Sequence, residues 1–227
     1  MASVAVAWTG GKDSSLAFYE AEKLGYRVDC LVTFAWNDEP FLAHPLDFVA
    51  LQAEALALPH YVMKVAEPYD RGYEQAFSRL KRKHGVEFLV TGDIAVVSGH
   101  NPKWLEERAA HSKIELIRPL WQRDRVELLN ELLELRFNVV FSCVKKPWFT
   151  DDWIGSELST STVQRLVELG HRTGIDICGE QGEYHTLVTD APQFKRNIRI
   201  ESYTKRTQDS AMYIALERCG LADKTIT

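Results

Sequence analysis

The sequence predicts an α/β protein whose larger part is a parallel sheet with helices on both faces. Short apolar segments without polar alternation recur along residues 1–144, and such segments are typical of strands buried on both faces. Helix-like segments separate them, which predicts right-handed crossovers between parallel strands. The first strand also runs through a two-glycine turn into a helix, an arrangement that predicts a ligand site as well as a shape.

Six strands and five helices are predicted to alternate in this region. The strands lie at residues 4–8, 28–36, 60–65, 86–90, 114–117 and 137–144. The helices between them lie at residues 16–24, 47–58, 69–84, 103–111 and 123–135. The third helix stops before Gly85, because glycine favours the left-handed conformation that ends a helix. A sheet of five or more strands follows from this pattern.

The pattern changes near Lys145, where Lys-Lys-Pro indicates a turn or linker. A helix is predicted at residues 160–172 and a strand at residues 194–203, whereas residues 212–217 fit either a helix or a strand. We therefore expect two domains, residues 1–144 and residues 145–227, the second a smaller α+β domain.

The amino-acid composition argues against several classes of function. The net charge of −5 weighs against a dominant nucleic-acid surface, which would show as a basic excess. The four cysteines form no Cys-x-x-Cys pair, and Cys30 and Cys143 lie in apolar segments that favour buried thiols. No signal-peptide pattern and no apolar run of about 20 residues is found, so the expected compartment is the cytoplasm and no membrane partner is expected.

The turn after the first strand is predicted to bind phosphate. Gly10 and Gly11 allow a sharp turn and a close approach of the backbone to a ligand. The first amides and the dipole of the following helix attract an anion, and Lys12 adds a positive charge. Asp13 follows Lys12 where a Walker loop requires Ser or Thr, so this is a different loop. The alternative is an ordinary strand–turn–helix corner with a capping Asp.

A second dense motif, Gly-Glu-Gln-Gly-Glu-Tyr-His-Thr, occupies residues 179–186. If its end is extended, Glu183 and His185 point to the same face. A carboxylate beside an imidazole can orient a nucleophile, transfer a proton or bind a cation. The alternative is a glycine hairpin with solvated acids and a surface histidine.

These motifs carry a family resemblance. Residues 9–14, Thr-Gly-Gly-Lys-Asp-Ser, resemble the Ser-Gly-Gly-x-Asp-Ser motif of the PP-loop, or N-type, ATP pyrophosphatases. Further matching motifs follow in order at Gly92-Asp93, Pro119-Leu120-Trp121, residues 152–158 and residues 179–183. Over residues 3–203 the chain is similar to the diphthine–ammonia ligase family. The resemblance implies an ATP-binding domain of the adenine nucleotide α-hydrolase (HUP) type and a small domain for the second substrate.

The resemblance also implies a mechanism. ATP would be cleaved to AMP and pyrophosphate, activating a carboxylate as an acyl-adenylate for amide formation with ammonia or an amine. Mg²⁺ would be held through phosphate oxygens, with Asp13 either a metal ligand or only a helix-start residue. The implied nucleotide-binding residues are Trp8, Thr9, Gly10, Gly11, Lys12, Asp13, Ser14, Ser15, Gly92 and Asp93. The implied catalytic residues are Lys12, Glu183 and His185, and the implied acceptor-binding residues are Glu180, Glu183 and His185.

Two departures concern the acceptor. The diphthine enzymes carry an acid where this chain has His185, and residues 101–108 match the arginine-rich stretch of the ligases poorly. The motif resembles that of a sister subgroup linked to cobalamin-related or other amide metabolism. A non-catalytic adenine-nucleotide-binding protein and a tRNA-modifying PP-loop enzyme stand as alternatives. The sequence leaves open whether the chain forms a homo-oligomer.

Overall fold

The computed structural model describes residues 2–36, 41–96, 101 and 103–224. The strands are β1 (Ser3–Ala7), β2 (Val28–Trp36), β3 (His60–Val65), β4 (Val86–Val90), β5 (Glu115–Ile117), β6 (Asn138–Lys145), β7 (Tyr184–Asp190), β8 (Arg196–Gln208) and β9 (Ala211–Asp223). The helices are α1 (Lys12–Lys23), α2 (Leu46–Leu56), α3 (Tyr69–His84), α4 (Trp104–Ala110), α5 (Arg125–Glu134) and α6 (Thr160–Thr173), with a short 3₁₀ helix at Asp151–Trp153. None of the helices within these ranges has the length and apolar character that crossing a membrane requires.

The chain forms two compact units. Unit 1 comprises the described residues within 1–9, 13–40 and 58–121, and unit 2 those within 10–12, 41–57 and 122–227. Unit 2 thus includes three residues of the glycine turn. The predicted domain boundary at residues 144 and 145 stays a prediction.

Unit 1 contains a five-stranded parallel sheet in the order β3-β2-β1-β4-β5. This confirms the predicted fold class. The chain adds β2 and β3 on one side of β1 and then β4 and β5 on the other, so the direction of winding reverses between β1 and β4. In open α/β sheets, ligands bind at such a reversal, beyond the carboxyl ends of the strands.

The core of unit 1 combines apolar residues of the strands with the inner face of α3. Its buried members are Ala5, Cys30, Val32, Met63, Val65, Ala76, Phe77, Leu80, Val86, Leu89, Ala109 and Ile114. Phe77 is fully buried, and its ring meets that of Phe34 edge to face at 5.4 Å between centroids. Cys30 is 4% exposed, which confirms the prediction of a buried thiol, and burial together with the Asp29 carboxylate raises its pKa to about 11.

Unit 2 contains an antiparallel four-stranded sheet in the order β7-β6-β9-β8. The prediction that residues 137–144 continue the parallel alternation was wrong, because β6 pairs antiparallel with β7 and β9. All but its two end residues are buried, so its apolar run resembles that of a central parallel strand. Residues 212–217 belong to β9, which forms a long hairpin with β8.

Phe77→Ala is expected to lower the free energy of unfolding by about 3–5 kcal/mol, because it removes a buried ring and leaves a cavity. Urea denaturation followed by circular dichroism measures the loss. Leu24→Ala is the control, since Leu24 is 64% exposed and should change stability little. Equal effects of the two substitutions would contradict the assigned core.

Candidate functional site

In unit 1, the turns that follow β1 and β4 meet at the reversal of the sheet. A Cβ atom on Gly92 would lie 2.7 Å from the carbonyl carbon of Asp13 and 2.8 Å from the amide nitrogen of Ser14. Only glycine allows the β4 turn to approach the first turn of α1 this closely. The structure therefore brings together Gly92 and the start of α1.

Asp93 lies beside this contact. Its Oδ2 accepts a hydrogen bond of 2.8 Å from the Thr91 hydroxyl and lies 3.9 Å from Nε of Arg118. Burial raises the pKa of Asp93, whereas the Thr91 hydrogen bond and the Arg118 guanidinium lower it. The carboxylate is thus held at the carboxyl end of β4.

The polar side chains after β1 differ in accessibility. Thr9 is exposed, and its hydroxyl lies 3.4 Å from that of the buried Ser14. Ser15 is fully buried. Trp8 is 1% exposed, with its ring edge to face against Phe18 at 6.2 Å between centroids. The Trp8 side chain thus belongs to the core of unit 1, so a contact of Trp8 with a nucleotide would involve its backbone.

In unit 2, hydrogen bonds fix the backbone of the glycine turn. The carbonyl oxygen of Gly10 accepts from Nε2 of Gln52 at 2.8 Å and from the amide of Val188 at 3.0 Å. The amide of Lys12 donates to the Thr186 hydroxyl at 3.0 Å. Gly10 has a φ of +81°, and a Cβ there would lie 2.2 Å from Oε1 of Gln52. The turn therefore requires glycine for both conformation and space.

The Lys12 side chain is 2% exposed. Its ammonium donates a hydrogen bond to the carbonyl oxygen of Cys178 and lies 5.1 Å from the ring centroid of Tyr184. The Tyr184 hydroxyl in turn donates to the carbonyl of Ile177 at 2.8 Å. Residues 10–12 of the first motif and the motif at residues 179–186 thus come together around Lys12 in unit 2.

Glu183 stabilises the glycine-rich segment before β7. Its Oε1 accepts from the amide of Asp176 at 2.8 Å, and its Oε2 accepts from the amide of Gln181 at 2.9 Å. The residue is 4% exposed. It precedes the first residue of β7, so both carboxylate oxygens fold back onto the turn. Glu180, the other predicted acid, is partly buried in the same segment.

His185 lies in β7 and contacts a histidine that the sequence analysis missed. The ring of His44 meets that of His185 edge to face at 5.2 Å between centroids. Burial, Lys145 and Lys12 lower the pKa of His185 to about 4. Burial, His185 and Lys12 lower the pKa of His44 to about 3. Both imidazoles are therefore uncharged at neutral pH.

No local signal identifies His44, which precedes a proline in the loop before α2. Gln52 was also missed, because an amide in an otherwise apolar stretch of helix has no distinctive spacing. Both residues acquire their position only when α2 packs within unit 2. The functional environment of the loop thus depends on non-local contacts.

The two histidines predict a pH dependence of stability. Between about pH 4 and the ordinary value of 6.5, the unfolded chain binds a proton on each imidazole and the folded protein does not. The free energy of unfolding should therefore rise with pH in this window, by up to about 1.4 kcal/mol per pH unit for each histidine. The contribution of the two histidines to the free energy of unfolding is fully present above this window and is lost as the pH falls through it.

Urea denaturation at several pH values measures this slope. His44→Phe should flatten it, because the variant lacks one of the two groups that resist protonation. His171→Gln is the control at an exposed histidine of the same unit. If His44→Phe leaves the slope unchanged, the lowered pKa assigned to His44 is contradicted.

Two family models match most of the chain. The family model described as the diphthamide synthase N-terminal domain matches residues 2–112, and that of the diphthamide synthase C-terminal domain matches residues 124–221.

Curated relatives include the diphthine–ammonia ligase of Mus musculus, 25% identical over 97% of this chain and 93% of the relative. That of Bos taurus is 26% identical over 88% of this chain and 83% of the relative. A solved structure described as a predicted subunit of tRNA methyltransferase from Methanocaldococcus jannaschii is 17% identical, with a TM-score of 0.45, and covers 84% of this chain and 98% of that one. The two domain matches and these relatives show that the chain belongs to the diphthine–ammonia ligase family.

Proposed function

We propose that this protein is an ATP-dependent ligase that cleaves ATP to AMP and pyrophosphate and forms an amide from a carboxylate. The observation that carries the proposal is the contact of Gly92 with the first turn of α1, where the parallel sheet reverses direction. This is where open α/β sheets bind nucleotides. The family relatives, named as diphthine–ammonia ligases, support the amide product.

The phosphates would be bound by Gly10, Gly11 and the amides of Asp13 and Ser14 at the start of α1, where the helix dipole favours an anion. The hydroxyls of Thr9 and Ser14 would add hydrogen bonds, and Asp93 would lie at the edge of the nucleotide. The Lys12 ammonium would offset charge that develops on the leaving pyrophosphate.

Mg²⁺ would accompany the nucleotide and neutralise phosphate charge. Within the described ranges, no group of three or more His, Cys, Asp or Glu side chains could hold a metal ion. We propose that the ion is held mainly by phosphate oxygens and water, as Mg²⁺ commonly is. Asp13 is the loop carboxylate that could contribute a single ligand, directly or through water.

In the first step, an oxygen of the acceptor carboxylate attacks the α-phosphorus of ATP, and the bond to pyrophosphate breaks. In the second, ammonia or an amine attacks the acyl carbon, and AMP leaves. His185 would accept the proton that the attacking nitrogen loses, because its imidazole is uncharged at neutral pH. Its lowered pKa makes it a weak base that passes the proton on readily.

The two acids of the second motif would have different parts. Glu180 would attract the amine or ammonium to the acceptor site. Glu183 was expected to act beside His185, but both of its oxygens accept backbone hydrogen bonds. We therefore propose that it acts as a positioning residue, which holds the segment that carries Glu180 and leads into His185.

The acceptor is a carboxylate, and we favour a small or corrinoid-like metabolite over diphthine because His185 replaces the acid usual in the diphthine enzymes. The tRNA-thiolase alternative would require a reactive thiol, yet Cys30, Cys143 and Cys178 are buried. Burial raises the pKa of the Cys143 thiol to about 11. We keep the cytoplasm as the proposed compartment.

Product analysis tests this function. The protein is incubated with ATP, Mg²⁺, ammonium and a panel of carboxylates, and the nucleotides are separated by chromatography. We expect acceptor-dependent release of AMP and pyrophosphate in equal amounts. ADP and phosphate as products would contradict the ligase, and tight ATP binding without AMP from any acceptor would favour a nucleotide sensor. Efficient amidation of diphthine on elongation factor would overturn the preference for a small acceptor.

His185→Gln should lower the rate of amide formation by about 100-fold, the lower range for loss of a general base, while ATP affinity stays within about twofold. The measurements are single-turnover kinetics and equilibrium binding of ATP. His171→Gln serves as the control at an exposed histidine. Equal turnover of the two variants would exclude His185 from proton transfer.

A further inference from the structure

A cluster of basic groups in unit 2 includes one member, His44, that lies beside Gly11, the second glycine of the loop. It consists of the Lys12 and Lys145 ammonium groups and the His44 and His185 imidazoles. Within the described ranges, Lys145 forms no ion pair. The acid that follows Gly182, Glu183, directs its oxygens to backbone amides instead. The positive charge of the Lys145 ammonium is therefore not balanced by a direct ion pair with a carboxylate of the described residues.

The register of β6 and β7 places Lys145 near His185. Cys143 stands opposite His185 in the antiparallel ladder, so their side chains share a face of the sheet. Lys145 is two residues further along β6 and therefore faces the same side. Its Nζ lies 3.1 Å from the position that a Cβ of Gly182 would occupy. The Lys145 ammonium is thus held over the glycine-rich segment, close enough to His185 to lower the pKa of that imidazole.

His44 adds a polar atom that lacks a partner. Its Nδ1 is buried and makes no hydrogen bond to any described residue. Its Cε1, which is bonded to Nδ1, lies 3.2 Å from the position that a Cβ of Gly11 would occupy. A buried polar group without a partner is unfavourable, so such groups in native proteins generally have a ligand or water partner. The unpartnered atom lies directly beside the phosphate-loop glycine.

We propose that Lys145 and His44 form an oxyanion subsite that receives the pyrophosphate end of the nucleotide beside Gly11. The proposal rests on the proposed use of ATP and extends it to residues outside the loop motif. The terminal phosphates carry several negative charges, more than the single Lys12 ammonium can balance. Lys145 supplies a second cation, and the neutral His44 imidazole supplies an N–H donor without adding charge.

Binding of inorganic pyrophosphate by isothermal titration calorimetry tests the subsite without requiring turnover. Lys145→Met should weaken pyrophosphate binding by about tenfold, the effect of losing one charge-assisted contact. Lys146→Met is the matched control, because Lys146 is the neighbouring lysine and is exposed. His44→Phe should weaken binding by a smaller factor, about threefold to fivefold, as expected for a neutral hydrogen bond.

AMP is the second probe, since it lacks the terminal phosphates. Its affinity should be the same in Lys145→Met and the parent, and circular dichroism checks that each variant is folded. Equal pyrophosphate affinity in the Lys145 and Lys146 variants, or an equal loss for AMP and pyrophosphate, would overturn the proposal. So would a parent protein that binds no pyrophosphate.

The experiments distinguish failure of the subsite from failure of the proposed ligase activity. If the parent binds pyrophosphate through Lys145 but releases no AMP with any acceptor, the subsite stands and the proposed activity fails. If the parent releases AMP and pyrophosphate but Lys145→Met binds pyrophosphate normally, the activity stands and the subsite fails.

Discussion

The site depends on the hydrogen bonds that hold residues 10–12 against α2 and β7. The Gly10 carbonyl accepts from Gln52 and Val188, and the Lys12 amide donates to Thr186. These bonds fix a turn that would otherwise be among the more mobile parts of the chain, since glycine has little intrinsic conformational preference. A turn held in one conformation can present its amides to phosphate without paying the entropy of ordering at each binding event.

The surroundings of Lys12 determine where positive charge lies in the site. The Lys12 ammonium is buried beside the Cys178 carbonyl and the Tyr184 ring, with His44 and His185 close by. Such a cation disfavours protonation of both imidazoles, and burial disfavours it further. Positive charge therefore resides on the lysines, which suits phosphate binding, and the histidines stay available to donate or accept single protons. Glu183 contributes by holding the segment in place, because its carboxylate satisfies two backbone amides of the turn.

Sequence patterns predicted the parallel sheet well, because buried strands and amphipathic helices have distinct periodicities. The bounds predicted for β3, α3 and β4 agree with the structure. The phosphate loop and the second motif were also recognisable, since both combine glycine with ionisable residues. The sheet to which β6 belongs was not predictable, because a strand buried on both faces gives the same apolar run in parallel and antiparallel surroundings. The direction of the Glu183 carboxylate follows from the local turn whose Asp176 and Gln181 amides donate to it. The approach of His44 to His185 depends on a contact between residues distant in sequence.

We propose that β7 holds residues 10–12 in the conformation that binds nucleotide, and the Thr186 hydroxyl offers the most direct test. Thr186→Val keeps the shape of the side chain but removes the acceptor of the Lys12 amide, whereas Thr186→Ser keeps the acceptor. The measurement is the dissociation constant of ATP with Mg²⁺ for both variants and the parent. We expect Thr186→Ser to bind like the parent and Thr186→Val to bind about tenfold more weakly, since one hydrogen bond contributes about 1 kcal/mol and leaving the buried amide unpaired costs more. Unchanged ATP affinity in a folded Thr186→Val protein would contradict the claim.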